Sequence, residues 1–403
     1  MKRRVFLSTA AAAGAALSAL SLPRAPFAAA CEGAARFAQS DARCAKRVSQ
    51  YDSTGRASGR KLLFLIELKG GNDGLNTVVP FADPLYYSLR PHVAIARDAV
   101  LPLDERAALH PALQPLMPLW QRGELAIVQG LGYPHFNLSH FRAMEIWDTA
   151  SDAHRYLRDG WVTRALASAQ AVPRTPGSVL AGALPGGALV IGSAEQGPLT
   201  GAARGVTTLM PSSNCADADG VVEHALLTRF PLGAFGAALV HAIVASAASP
   251  PRDAAYARPD HDASVIRVTL NGFDTHANQR ERHALLLAQF AQGVDALQAT
   301  LRELGLWDQT LIVTYSEFGR RPRENDTGGT DHGSSAPHFV IGGSVRGGLY
   351  GAPPAMSQLD GNGNLPMAVD FRRLYATVLA SWWGCDAAAV LQRCFDPLPL
   401  LHI

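Results

Sequence analysis

Apolar and polar positions along this chain sort into short unbroken apolar runs, each closed by Gly, Asp or Asn, and one long stretch of helical periodicity. The runs are Leu62–Leu68 (LLFLIEL), Leu125–Gln129 (LAIVQ), Val265–Leu270 (VIRVTL), Leu311–Tyr315 and His338–Ile341. Apolar runs of this length bounded by turn residues predict buried strands. Leu189–Ile191 is a further, shorter strand candidate. Between the third and fourth runs, Leu287, Phe290, Val294, Leu297, Leu301 and Leu304 recur at spacings of three and four, and Gly305 follows. That is one apolar helix face with a stop signal. Strand, long helix and strand in succession predict a parallel crossover unit. Shorter helices are expected over Leu113–Trp120, from Asn137 or Ser139 towards Trp147, over Leu226–Ala247, and over Phe371–Trp383 with Leu374, Val378 and Trp382 on one side. The pattern is that of an α/β fold.

The polar residues of interest lie where the runs end. Leu62–Leu68 leads into Lys69-Gly70-Gly71-Asn72-Asp73-Gly74-Leu75-Asn76. Such a turn carries Asp73 and Asn76 beyond the strand, and Asp73 can serve there as a ligand or as a turn acid bonded to backbone amides. After Leu125–Gln129 comes a Gly-rich link and then HFNLSHFRA, residues 135–143. Ser139 at the start of a helix is either a cap or a nucleophile set in the positive field of the helix N-terminus. His140 points away from Ser139 on a helix, so the two do not form a nucleophile–base dyad by themselves. After Val265–Leu270, Asp274 and His276 are one residue apart in an extended turn, where both can face one cation; the alternative is a capping Asp274 and a surface His276. Glu317 follows Leu311–Tyr315, and a loop rich in Gly, Arg and Asp then delivers Asp331 and His332. Ligands of open α/β sheets gather at strand carboxyl ends.

Hydrophobic residues make up 48% of the 403 positions and charged residues 17%, which suits a sizeable core and argues against disorder. Residues 1–30 carry Lys2, Arg3 and Arg4 before Val5-Phe6-Leu7, an Ala-rich apolar segment to Leu22, and small residues at Ala28–Ala30. This is the pattern of a twin-arginine signal peptide, and it predicts export to the periplasm or beyond by the twin-arginine machinery. Without Lys2, Arg3, Arg4 and Arg24 the formal charge goes from +2 to −2, so the mature chain has no global nucleic-acid signature. No later stretch is long and apolar enough for a transmembrane span, and the Ala-rich run Gly233–Ala248 is expected to be a core helix. Residues 31–60 read as an exposed lead, and residues 61–403 as one domain with a cap or lid within 151–260. Of five cysteines, Cys31 with Cys44 and Cys385 with Cys394 are the closest pairs in sequence; none has CxxC spacing, which argues against a zinc–thiolate site.

Acids, imidazoles and a hydroxyl at the ends of adjacent strands are the inventory of metal-assisted hydrolysis. Oxygen and nitrogen ligands fix a divalent cation, and a serine at a helix start can attack. The leader, KGGNDGLNTVVP, SHFRAMEIWDTA, GFDTHANQ, YSEFGRRPREN and GTDHGSSAPHFVIGG together resemble the exported bacterial family known as domain of unknown function 1501. That family is similar to the alkaline phosphatase and sulfatase superfamily. The resemblance implies a three-layer α/β/α sandwich with a mainly parallel mixed sheet, divalent metal and a Ser, Thr or modified Cys nucleophile. Carried over by position, it makes Ser139 the nucleophile and Asp73, Asp274, His276, Glu317 and His332 metal ligands, with Glu67 the alternative to Asp73. Arg320, Arg321 and Asn76 are then the groups that meet an anionic substrate. Zinc, manganese, calcium or iron would serve, and the substrate would be a small phosphate or sulfate ester. Two departures stand out. Phe318 occupies the place of a ligating histidine, and Asp274 and His276 are spaced by one residue instead of three. A site degraded in this way suits a second reading, a non-catalytic exported binding or assembly protein.

Overall fold

The computed structural model describes residues 61–171, 187–202, 206–209 and 263–402. The leader, the 31–60 lead, most of the 151–260 cap region and the helix expected over Leu226–Ala247 lie outside them. The strands of the main sheet are β1 (Leu62–Lys69), β2 (Leu125–Gly132), β3 (Gly187–Ile191), β4 (Val206–Leu209), β5 (Ala263–Asn271), β6 (Thr310–Tyr315), β9 (Ala336–Ile341), β10 (Gly348–Tyr350) and β11 (Val369–Asp370). Two short strands, β7 (Arg320–Glu324) and β8 (Thr330–His332), form a separate antiparallel hairpin. The main sheet runs β10-β2-β9-β6-β1-β5-β3-β4, with β11 also on β2. β1 lies parallel between β5 and β6, and only β9 runs antiparallel to its neighbours, β2 and β6.

Alternation along β1 sets the layers. Leu63 and Leu65 face one core with Val128, Val265 and Val313; Leu62, Phe64, Ile66 and Leu68 face the other with Ile127, Ile266 and Ile312. The first core is closed by helices α2 (His140–Thr149), α3 (Trp161–Ala171) and α5 (Phe371–Ala376), through Ile146, Trp147, Trp161 and Leu374. The second is closed by α4 (Gln279–Glu303), whose Leu287, Phe290, Val294, Leu297 and Leu301 are fully buried. Burying each such side chain is worth about 1.5–3 kcal/mol. The fold is therefore α/β, a mainly parallel mixed sheet between two helical layers, as expected. The periodic helix of the sequence is the parallel crossover between β5 and the strand two places away, β6.

Two local expectations need correction, and the cysteines can be assigned. Leu113–Trp120 is not one helix but a 3-10 segment, Pro111–Leu116, followed by a short α-helix, α1 (Met117–Gln121); Pro115 and Pro118 deny the amides a continuous α-helix needs. The helix at Phe371 passes into a π-helical turn at Thr377–Trp382. Cys394 is disulfide-bonded whereas Cys385 is a buried free thiol, so these two are not partners.

Candidate metal centre

Glycines let three strand-end loops meet. After β1 the chain turns at Gly70 and Gly71 with φ of 122° and 80°. A Cβ on Gly70 would lie 2.3 Å from the backbone nitrogen of Asp274, and one on Gly71 would lie 2.5 Å from the Phe318 ring. Only glycine permits both the positive φ and the approach. Ser316 locks the junction: its hydroxyl donates to the Leu68 carbonyl at 2.8 Å and accepts from the Asn72 amide at 3.0 Å.

Four side chains converge above this junction. The Asp274 carboxylate lies 3.1 Å from His276 Nε2, 3.3 Å from His332 Nε2 and 3.5 Å from His140 Nε2. His276 Nε2 and His332 Nε2 are 2.9 Å apart. Two of the rings are held from behind through Nδ1. His140 Nδ1 meets Glu317 Oε1 at 2.7 Å and His332 Nδ1 meets the Leu138 carbonyl at 2.8 Å, whereas His276 Nδ1 lies 3.6 Å from Asp331 Oδ1, beyond hydrogen-bond reach. A carbonyl or carboxylate behind Nδ1 fixes the proton there and leaves the Nε2 lone pair facing forward. Lone pairs and a carboxylate thus face one another, an arrangement that a cation between them stabilises. The histidines are partly shielded, with side chains 20–45% exposed, so the centre opens to solvent.

The electrostatics divide the groups. Burial opposes the charge on Asp274, but the Arg320 hydrogen bond and charge, then His332 and His276, outweigh it and hold the carboxyl at about 2. The hydrogen bond to Glu317 raises His140 above an ordinary imidazole, against desolvation. Desolvation lowers His332 despite its bond to Leu138. Phe318 is buried against the two rings, with centroids 4.9 Å from His140 and 4.4 Å from His332. It forms an apolar wall at the place where the resemblance expects an imidazole.

The expected site residues thus separate. Asp274, His276 and His332 come together. Glu317 lies behind His140, its carboxylate also accepting from the Gly70 amide at 3.0 and 3.2 Å. Asp73 lies elsewhere, fully buried: Oδ1 caps Leu75 N at 3.1 Å, and Oδ2 binds Arg90 Nη1 at 2.6 Å and the Gln279 amide. Burial works against its charge, and Arg90 overcomes this and holds the carboxyl below the usual range. Its oxygens are committed to a cap and a buried ion pair. Glu67 is equally committed, to Arg267 at 2.6 Å and Thr269 at 2.9 Å. Asn76 is sealed by Val93, Tyr86 and Arg90, so it faces no substrate. Arg320 is buried too, with its guanidinium spent on the carbonyls of Gly70, Gly71, Phe273 and Thr330 and on Asp274 at 2.6 Å. It clamps the loops, and its charge is already paired with Asp274. Arg321 differs: its side chain is 34% exposed and lies 4.0 Å from Asp331 Oδ2. Ser139 is the exposed N-cap of α2, and its hydroxyl makes no capping bond.

His140 is the residue that reading the sequence missed. Its place beside Ser139 on a helix is legible in the sequence; its relation to loops far along the chain is not. The available signal was position: it is the first residue of the helix after β2, at the same strand-end level as the other loops. Among the described residues, His140, Asp274 and His332 are the group whose ligand atoms lie within 4.8 Å of one another.

Residues 255–395, about a third of the chain, match the family described as "Protein of unknown function (DUF1501)", which bears out the family resemblance carried by the motifs. No curated protein matches. Among solved structures, similarity extends to the lipoteichoic acid synthase LtaP from Listeria monocytogenes, at 9% identity over 73% of this chain and 67% of that one, TM-score 0.34. It extends also to a protein in the alkaline phosphatase superfamily from Vibrio parahaemolyticus, at 9% identity over 72% and 62%, TM-score 0.34. The C-terminal periplasmic domain of EcEptC from Escherichia coli matches at 10% identity over 71% and 73%, TM-score 0.33. Backbone likeness at this level assigns no residue role.

Proposed function

We propose that this chain is a metal-dependent hydrolase of phosphate or sulfate esters, exported by its twin-arginine leader, with the cation held by His140, Asp274, His276 and His332. The observation that carries the reading is the convergence of three Nε2 atoms on one carboxylate, with the His140 and His332 rings fixed from behind through Nδ1. Three imidazoles and one carboxylate suit zinc, manganese or iron; calcium prefers a larger all-oxygen shell. When bound, such a cation polarises a phosphoryl or sulfuryl oxygen and lowers the pKa of a bound water or hydroxyl.

The chain's own residues supply the rest. Glu317 and Leu138 hold two imidazoles in the ligating tautomer. Arg320 keeps Asp274 ionised and in place. Ser139 presents a hydroxyl free of any cap bond at the start of a ten-residue helix, whose amides favour an incoming anion. Arg321 at the rim is the basic group able to neutralise that anion, and Phe318 shields one side from water.

The test is elemental analysis of protein purified from the periplasm, together with aryl phosphate and aryl sulfate turnover. Stoichiometric metal that disappears in His276→Ala/His332→Ala, and turnover abolished by Ser139→Ala, are expected. Metal-free folded protein that also fails to take up added zinc, manganese or iron would sink the proposal. Bound metal with no turnover, and a Ser139→Ala variant without phenotype, would favour the non-catalytic reading. The sealed Asp73 and the Phe318 wall support that second reading.

A further inference from the structure

We propose that the fold carries a second binding site, a preformed apolar cavity that takes an uncharged group of phenyl or short-alkyl size. The cavity, about 240 Å³, opens between the first turn after β1, the middle of β2, the start of β9 and two loops near residues 352–358 and 365–368. Leu75, Pro337, Pro353, Pro354, Leu365 and Met367 make its apolar walls. Gln129, Ser335 and Gln358 offer uncharged polar groups that suit a hydroxyl or carbonyl on the occupant.

Charge selects against an anion. Among the described residues, the lining contains no acid and no lysine, and its one basic residue is Arg320. That guanidinium is spent on the carbonyls of Gly70, Gly71, Phe273 and Thr330 and on Asp274. An anion here would lose its hydration against a guanidinium whose charge is already paired with Asp274, which is costly. Shape selects for a rigid slot. Prolines fix the walls, and the Ser334 and Ser335 hydroxyls donate to the carbonyls of Leu365 and Pro366, pinning β9's approach to the outer loop. A site already held in shape spends little of the binding energy on ordering. Pockets with apolar walls and few polar contacts are the usual form of small-molecule sites. Arg320 is a wall of this cavity and the clamp on Asp274, so the cavity and the metal centre share one side chain.

The occupant is either a separate uncharged molecule or the alcohol part of the ester; the second rests on the hydrolase reading, the first does not. The experiment is titration of benzyl alcohol into the full chain carrying methyl-labelled methionine, read by NMR at Met367. A saturable Met367 shift with a millimolar midpoint is expected, lost in Ala355→Trp and in Ala352→Trp. No saturable shift, or a shift unchanged in both variants, overturns the proposal. Phenyl phosphate separates the sources. A Met367 shift in zinc-loaded wild type that vanishes in His276→Ala/His332→Ala makes the occupant the ester's alcohol part. No shift with phenyl phosphate beside a full one with benzyl alcohol makes it a separate uncharged molecule. A metal-independent shift stronger with phenyl phosphate than with benzyl alcohol marks an anion site and overturns the proposal.

Discussion

Replacing Glu317 by Gln tests the geometry most directly, because it changes no shape and only one donor–acceptor assignment. In the native site the carboxylate accepts from the Gly70 amide and faces His140 Nδ1, so both partners must donate. Oε1 takes both of these bonds, while Oε2 faces the Gly70 amide at 3.2 Å and the Ser316 hydroxyl at 3.3 Å. If the glutamine sets its amino group at the Oε1 place, that group faces His140 Nδ1 and drives the proton to Nε2, where it points at Asp274 and blocks ligation. If it keeps its oxygen there, His140 and Gly70 are both still served, and the buried amino group at the Oε2 place meets the Gly70 amide, another donor. The first outcome costs metal binding, and losing such a supporting partner typically lowers affinity by about 10–100-fold, or about 1.4–2.7 kcal/mol. The second costs folding stability, about 1–3 kcal/mol for a buried donor left unmet. The assay is a competitive zinc titration with a chromophoric chelator, paired with urea unfolding of the metal-free protein. Zinc affinity within twofold of wild type and an unchanged unfolding midpoint would refute the reasoning. Loss of all binding, equal to that in His276→Ala/His332→Ala, would instead make Glu317 a direct ligand.

Other outcomes follow from the same structure. Asp73→Asn breaks a fully buried ion pair with Arg90 and should cost about 3–5 kcal/mol in urea unfolding while leaving zinc stoichiometry intact in the folded fraction; loss of zinc at unchanged stability would place Asp73 in the centre after all. Ser139→Ala removes an exposed hydroxyl with no cap bond, so stability should move by less than about 0.5 kcal/mol while turnover falls by about a thousandfold or more; the two are read by thermal unfolding and initial rates. Acid should strip the metal through histidine before aspartate. His140 is raised, so its ligating nitrogen takes up a proton as pH falls through a value above that of an ordinary imidazole, whereas Asp274 stays ionised down to about 2. Zinc occupancy followed from pH 8 downward should therefore fall while Asp274 is still ionised, and full occupancy at pH 4 would contradict the assignment. The sign for Asp274 is the opposite of His140's: its depressed pKa makes its ion pair with Arg320 a stabilising term that is complete above the unfolded carboxyl range and lost only as pH drops through about 2.

What the sequence determined is what local pattern encodes. Leu62–Leu68 is apolar on both alternating faces, so it had to be a strand covered on both sides, and it became the centre of the sheet. The three-and-four spacing of Leu287 to Leu301 fixed a helix with one buried face. Asp274, His276 and His332 were legible as candidate ligands because they stand in polar turns directly after apolar runs, and strand ends are where a parallel sheet gathers its loops. The tertiary structure alone decided which carboxylate faces the three imidazoles and which is sealed. Asp73, Glu67 and Glu317 all stand at strand ends, and nothing local separates them. Arg90, Arg267 and His140 do, and the last two partnerships join residues 200 and 177 positions apart. Likewise Arg320 looked like a free cation on a loop. Its guanidinium became a buried clamp because three loops present carbonyls to it, a direction in space that no one-dimensional pattern carries.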